Sequence, residues 1–186
     1  LVATHLGIDW AKARYGDAGF RPFALDQAAH LLVIAGIASV WPGLWGSGIW
    51  ARPEIVAALP LLDRLPEALV LASGLVATVW AGGYAVKAVL AGMSTPPVLM
   101  PAADPSLPRG GQIIGRLERF LILLLVLTQH AGAIGFLIAA KSVLRFNDLA
   151  RETDRHVSEY VIIGTLASFA WALATAFATQ DLLQAL

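Results

Sequence analysis

The chain has 186 residues, 58% of them hydrophobic and only 14% charged, against roughly 25% charged in an average soluble domain, which points to a membrane protein. Thirteen basic and thirteen acidic residues give a formal net charge of zero, which removes the general electrostatic reason to expect nucleic acid as a partner. Cysteine is absent, excluding disulfides, thiolate metal sites and a thiol nucleophile, so any metal must take nitrogen and oxygen ligands.

Several apolar runs exceed the roughly 18 residues that cross a bilayer core. They predict an all-α, polytopic transmembrane bundle of about five helices, A to E, forming one domain over residues 1–186 with the lipid bilayer as its partner. Helices A and B occupy 1–41. Helix A, from residue 1 to about 14, is too short to span as it stands. Its apolar pattern is already running at Leu1, so it is expected to begin upstream, and no basic region ahead of an apolar core marks a signal peptide. Gly16 to Gly19 form the turn, Pro22 sits in the first turn of helix B, and Trp41-Pro42 stops that helix. Residues 42–66, holding Trp45 and Trp50 among glycines, suit a membrane–water interface. Helix C covers 67–92, with Gly74, Ala77, Gly82 and Gly83 as small residues for close helix approach. Five prolines between Ser94 and Gly111 leave 93–111 as a loop.

Helix D covers 112–146, with Gln129 and His130 at its midpoint, and helix E covers 157–179. Taken as one span, helix D splits the basic residues seven to six between the two sides, which hardly sets orientation. Folded back as a re-entrant hairpin near 129–135, it splits them eleven to two, a real positive-inside signal. The length of its apolar core favours the single span.

Chemistry concentrates in helices A and B. His5 and Asp9 stand four apart, as do Asp26 and His30, so each pair shares a helix face. At about 1.5 Å per residue, Asp9 lies about 4.5 Å and His5 about 10.5 Å from Lys12, while Asp26 lies about 7.5 Å and His30 about 13.5 Å from Arg21. Antiparallel packing would therefore set histidine by histidine and aspartate by aspartate. His5, Asp9, Asp26 and His30 are thus candidate ligands for a divalent metal such as Zn, Mn or Fe, or a proton-handling group. Plain electrostatics offers another account: Asp9 pairs with Lys12, Asp26 complements its helix dipole, and the histidines are hydrogen-bonded core residues.

Arg116 and Arg119 are candidates to hold an anionic head group, with Glu118 either a third carboxylate or the neutraliser of those arginines. Gln129 and His130 are expected as interhelical polar contacts, and Lys141, Ser142 and Arg145 as markers of the end of a span.

The run from His5 through Asp9 and Lys12 to Arg14, with Asp26, Gln27 and His30, resembles the bacterial membrane family catalogued as domain of unknown function 3307. The later run Gly115, Arg116, Leu117, Glu118 and Arg119, with Gln129, Gly135, Lys141, Ser142, Arg145, Glu159, Tyr160 and Gly164, looks like the second half of its longer members. The resemblance leaves out residues 42–110. It implies a multi-pass protein of the bacterial inner membrane, and a further N-terminal helix with its own His, Asp and Gln motif, but no established activity. A weaker similarity, through paired His and Asp in membrane helices, is to membrane-bound metal-dependent hydrolases.

Three functions stay open, so whether the chain is an enzyme is not decided. The first is a membrane-embedded metal-dependent hydrolase with His5, Asp9, Asp26 and His30 as ligands and a bound water as nucleophile. The second is a structural or assembly protein in which the same residues pair helices. A proton-coupled transporter is disfavoured, because no inverted repeat or pair of broken helices is evident.

Overall fold

The computed structural model describes residues 2–15, 19–93, 109–149 and 155–186; the turn residues 16–18 and most of the proline-rich loop lie outside these. Every regular element among the described residues is helical. The chain divides into two compact units, Leu1–Leu69 and Val70–Leu186.

In the first unit, α1 (Val2–Tyr15) and α2 (Phe20–Val40) form an antiparallel hairpin in which His5 meets His30 and Lys12 meets Asp26. Helix α2 stops where the sequence places its end, with Trp41 donating its N–H to the Ile37 carbonyl at 2.9 Å just before Pro42, whose ring disfavours helical geometry at the residue ahead of it. Asp26 is the one buried residue of α2. The tryptophan-rich segment that follows is a set of short turns around α3 (Pro53–Ala58), with Pro53 in the first turn, where its missing N–H costs nothing. Trp50 donates its indole N–H to the Trp45 carbonyl at 3.1 Å, and the two rings lie 5.4 Å apart. Trp41, Trp45 and Trp50 are all exposed.

Helix α4 (Leu65–Leu75) leads into a π-helical segment, Val76–Ala81, and then α5 (Gly82–Leu90). The second unit packs the π-helical segment and α5 against α6 (Gly110–Leu127) and α8 (Arg155–Gln184), with α7 (Ile134–Leu149) following α6. Its apolar core joins Ile122, Leu123 and Val126 of α6 to Phe169, Ala172 and Ala176 of α8, with Ile134. Alanines one turn apart on α8 let the helices approach closely, the packing device that replaces hydrophobic drive in lipid. Thr78 of the π-helical segment donates its hydroxyl to Thr175 of α8 at 2.9 Å.

Helix D is not one helix. Helix α6 ends at Leu127, Gln129 takes a left-handed conformation (φ 64°), a 3-10 turn covers Ala131–Ala133, and α7 runs from Ile134. The reversal brings Lys141 of α7 onto Glu118 of α6, 23 residues earlier, as an ion pair. On one straight helix those residues would stand about 34 Å apart, so the chain folds back as a helical hairpin and the single-span expectation is corrected. Gln129 and His130 are accordingly exposed turn residues, with the His130 Nδ1 2.6 Å from the Thr128 carbonyl, rather than contacts between helices.

Among the described residues, three helices are long and apolar enough to cross a membrane: Phe20–Val40, Pro60–Leu90 and Arg155–Gln184. Helix α1, with 14 residues, reaches only about 21 Å, short of the roughly 30 Å hydrocarbon core.

Candidate metal centre

The α1–α2 hairpin brings three of the four expected ligands together. His5 and Asp9, one turn apart on α1, approach through the His5 Nε2 and Asp9 Oδ2 at 3.3 Å. From α2, the His30 Nε2 lies 2.6 Å from the His5 Nδ1 and 3.9 Å from the Asp9 Oδ1. One ligand atom from each of His5, Asp9 and His30 falls within 4.8 Å of the others. Ligands around a tetrahedral zinc sit about 3.3 Å from one another, given metal–nitrogen bonds near 2 Å, so small side-chain rotations suffice to close the set on an ion.

The outer contacts decide which nitrogens are available. The His30 Nδ1 lies 2.8 Å from the Asp26 backbone carbonyl, which can only accept, so this nitrogen carries the proton and Nε2 keeps its lone pair. Backbone anchoring of the far ring nitrogen is how metal-binding histidines are commonly oriented. The His5 Nδ1 then donates to the His30 Nε2, the lone pair that a divalent cation would take in its place.

Asp26 stands beside this group rather than in it. Its Oδ2 accepts from the Lys12 ammonium at 2.8 Å and from the Gln27 amide at 2.9 Å, while its buried Oδ1 has no hydrogen-bond partner among the described residues and lies 3.9 Å from the His30 Nδ1. Lys12 thus pairs across the hairpin, and not with Asp9 one turn away on its own helix. The Asp26 carboxylate is buried while His5 and Asp9 are exposed. A cavity of about 400 Å³ lies against the two histidines, its other walls being Val2, Thr4, Ile8, Val33 and Ile34.

The other expected site residues belong to the second unit. Glu118 pairs with Lys141 and not with the arginines beside it in sequence. The Lys141 ammonium also lies 5.0 Å from the centre of the Phe169 ring, a cation–π distance. Arg119 is buried, at 5% exposure. Its Nε and Nη2 donate to the Val79 carbonyl at 3.2 and 2.8 Å, and its Nη1 donates to the Ser168 hydroxyl at 3.1 Å. Trp171 likewise donates its indole N–H to the Ala77 carbonyl at 2.9 Å. Both acceptors lie in the π-helical segment, a distortion that breaks the regular backbone bonding pattern and recurs at functional sites. The contacts of Arg119, Lys141 and Trp171 are not legible in the sequence; the Gly82-Gly83 pair beside the π segment is their one visible trace. The chain matches no family model, no curated protein and no solved structure.

Proposed function

We propose that the protein is a multi-pass membrane protein whose α1–α2 hairpin carries a divalent-metal centre used for hydrolysis, with His5, Asp9 and His30 as ligands. The observation that carries this reading is the convergence of two imidazoles and one carboxylate from two helices, with His30 oriented by a backbone carbonyl. Two histidines and one carboxylate form the donor set of catalytic zinc and of non-haem iron, and both leave positions open. When bound, the metal would supply an activated water as nucleophile. His5, Asp9 and His30 hold it, Asp26 fixes the His30 ring through its carbonyl, and the apolar walls of the adjoining cavity suit a substrate with a hydrocarbon portion.

A second reading has its own support, because the same side chains satisfy one another with no metal. The His5–His30 contact and the Lys12–Asp26 ion pair already tie α1 to α2, as a purely structural hairpin would need.

The two readings differ in one measurement on the full-length protein, purified without chelator. On the metal reading, elemental analysis finds about one divalent ion per chain, and saturating metal at a hundredfold excess over its dissociation constant stabilises by about 2.7 kcal/mol, which chelator removes. Asp9→Asn and His30→Gln abolish that chelator effect, and acidification strips the ion because protonated imidazoles cannot ligate. A melting curve indifferent to chelator, to added metal and to both substitutions leaves the structural reading standing.

Topology follows from the same proposal. With three spans and a hairpin that returns to its own side, counting along the chain would put every basic residue except Arg52 and Arg64 on one face of the membrane, the cytoplasmic one by the positive-inside rule. The resemblance in the amino-acid sequence is what supports a bacterial inner membrane. Single cysteines at Arg21 and Ser47 are expected to react with an impermeant thiol reagent from opposite sides; reaction of both from one side refutes the arrangement.

A further inference from the structure

In the second unit, the buried Arg119 guanidinium has no carboxylate partner among the described residues, because the neighbouring Glu118 is taken by Lys141. An unpaired charge in such a place is costly unless something compensates it. A guanidinium has five N–H donors, and three of those on Arg119 are used, on Val79 and Ser168. One remains on Nη1 and one on Nη2, the fork that matches two oxygens of a phosphate or carboxylate.

What those donors face is set by two glycines. A Cβ on Gly115 would lie 3.3 Å from the Arg119 Nη1, and one on Gly83 would lie 3.5 Å from Nη2. Both glycines line a cavity of about 250 Å³, so the guanidinium edge is approached through the gap their missing side chains leave. Lys87, Gln112 and Arg116 stand around the same cavity. Neither Lys87 nor Arg116 makes an ion pair among the described residues, though the Lys87 ammonium lies 5.9 Å from the Tyr84 ring centre. Three cations and an amide thus surround one hollow whose lining includes no carboxylate among the described residues. Trp80 and Tyr84, both largely exposed, complete the wall with the amphipathic rings that favour the head-group level of a bilayer.

We propose that this cavity binds a phosphate group, with Arg119 as the fork at its base and Lys87 and Arg116 closing over it. The site is independent of the metal centre, which lies in the other unit. Its phosphate can come from an anionic lipid head group or from a free phosphate, and the test separates these sources.

The purified full-length protein is exchanged into phosphatidylcholine vesicles with or without a fifth of phosphatidylglycerol, and the co-purifying lipid is counted by mass spectrometry. Wild type is expected to enrich phosphatidylglycerol over phosphatidylcholine. The exposed pair Lys87→Gln and Arg116→Gln is expected to reduce that enrichment about 25-fold, at about fivefold per cation near a membrane surface, with the melting temperature in neutral detergent and the metal content unchanged. Gly115→Val, which fills the gap before Arg119 while leaving all three cations, is expected to reduce it as well. Inorganic phosphate is the competing arm. If millimolar phosphate binds in detergent and is lost in the double variant, the ligand is a free phosphate; if phosphate does not bind while the lipid is enriched, it is a head group. Equal retention of phosphatidylglycerol by wild type and the double variant, together with no phosphate binding, overturns the proposal.

Discussion

Lys141→Met is expected to destabilise the protein by about 3–5 kcal/mol, the usual cost of leaving one member of a buried ion pair uncompensated. The side chains of Lys141 and Glu118 are only 16% and 12% exposed, so water cannot take over the role of the lost partner. The variant also forfeits the contact between the ammonium and the Phe169 ring. Adding Glu118→Gln should recover most of the loss, because the second substitution removes the orphaned charge instead of deepening the damage. That non-additivity is the decisive quantity, since residues that do not touch give additive effects. Chemical denaturation of the four proteins of the cycle measures it. Additive losses, or a Lys141→Met cost below about 1 kcal/mol, would show that α6 and α7 do not fold back on each other.

Gly82→Ala should cost several kcal/mol although it adds one methyl group to a helix. The new Cβ would lie 2.7 Å from the Arg119 Cδ, 2.8 Å from its Nε and 2.8 Å from the Trp171 Cδ1. Neither neighbour yields freely: Arg119 is tethered to Val79 and Ser168, and Trp171 to the Ala77 carbonyl. Overpacking of this kind costs about 1–3 kcal/mol, and each buried hydrogen bond broken in the adjustment adds about 1–3 kcal/mol. Gly74→Ala meets the Thr179 Cβ at 2.9 Å and should behave similarly, by pushing α4 off α8. Gly7→Ala and Gly36→Ala are the controls. Nothing lies within 4 Å of either added Cβ, and in a helix alanine gains about 1 kcal/mol over glycine. Thermal melts in one detergent decide the matter, and a Gly82→Ala curve that matches Gly36→Ala would sink the account of the π segment.

Much of the fold is written in local patterns. The apolar stretches of α2 and α8 announce themselves because hydropathy is a property of the segment alone, and Trp41-Pro42 ends α2 through the covalent geometry of proline. The four-residue spacing of His5 with Asp9 and of Asp26 with His30 puts each pair on one face whatever the surroundings, and the short link between α1 and α2 does the rest. The convergence of His5, Asp9 and His30 is therefore legible in the sequence. The break after Leu127 is legible only as the less favoured alternative: the split of basic residues points to a reversal near 129–135, and the length of the apolar core points to one span. Gln129 adopts its left-handed conformation with no glycine or proline at that position to signal it, and only Thr128, Gln129 and His130 interrupt the apolar run there. What closes that hairpin is the Glu118–Lys141 pair, and a charge on one segment carries no record of which distant segment will neutralise it. The choice of Asp26 over Asp9 by Lys12 has the same origin, since it depends on the register of α1 against α2. Arg119 looked like a residue for the membrane surface, because sequence registers its charge and not the backbone carbonyl of Val79 that a π-helical turn presents 40 residues earlier. Local periodicity determines which residues share a face; only the packing of helices against one another decides which charges are buried, whom they meet, and where a hollow lined by cations remains open.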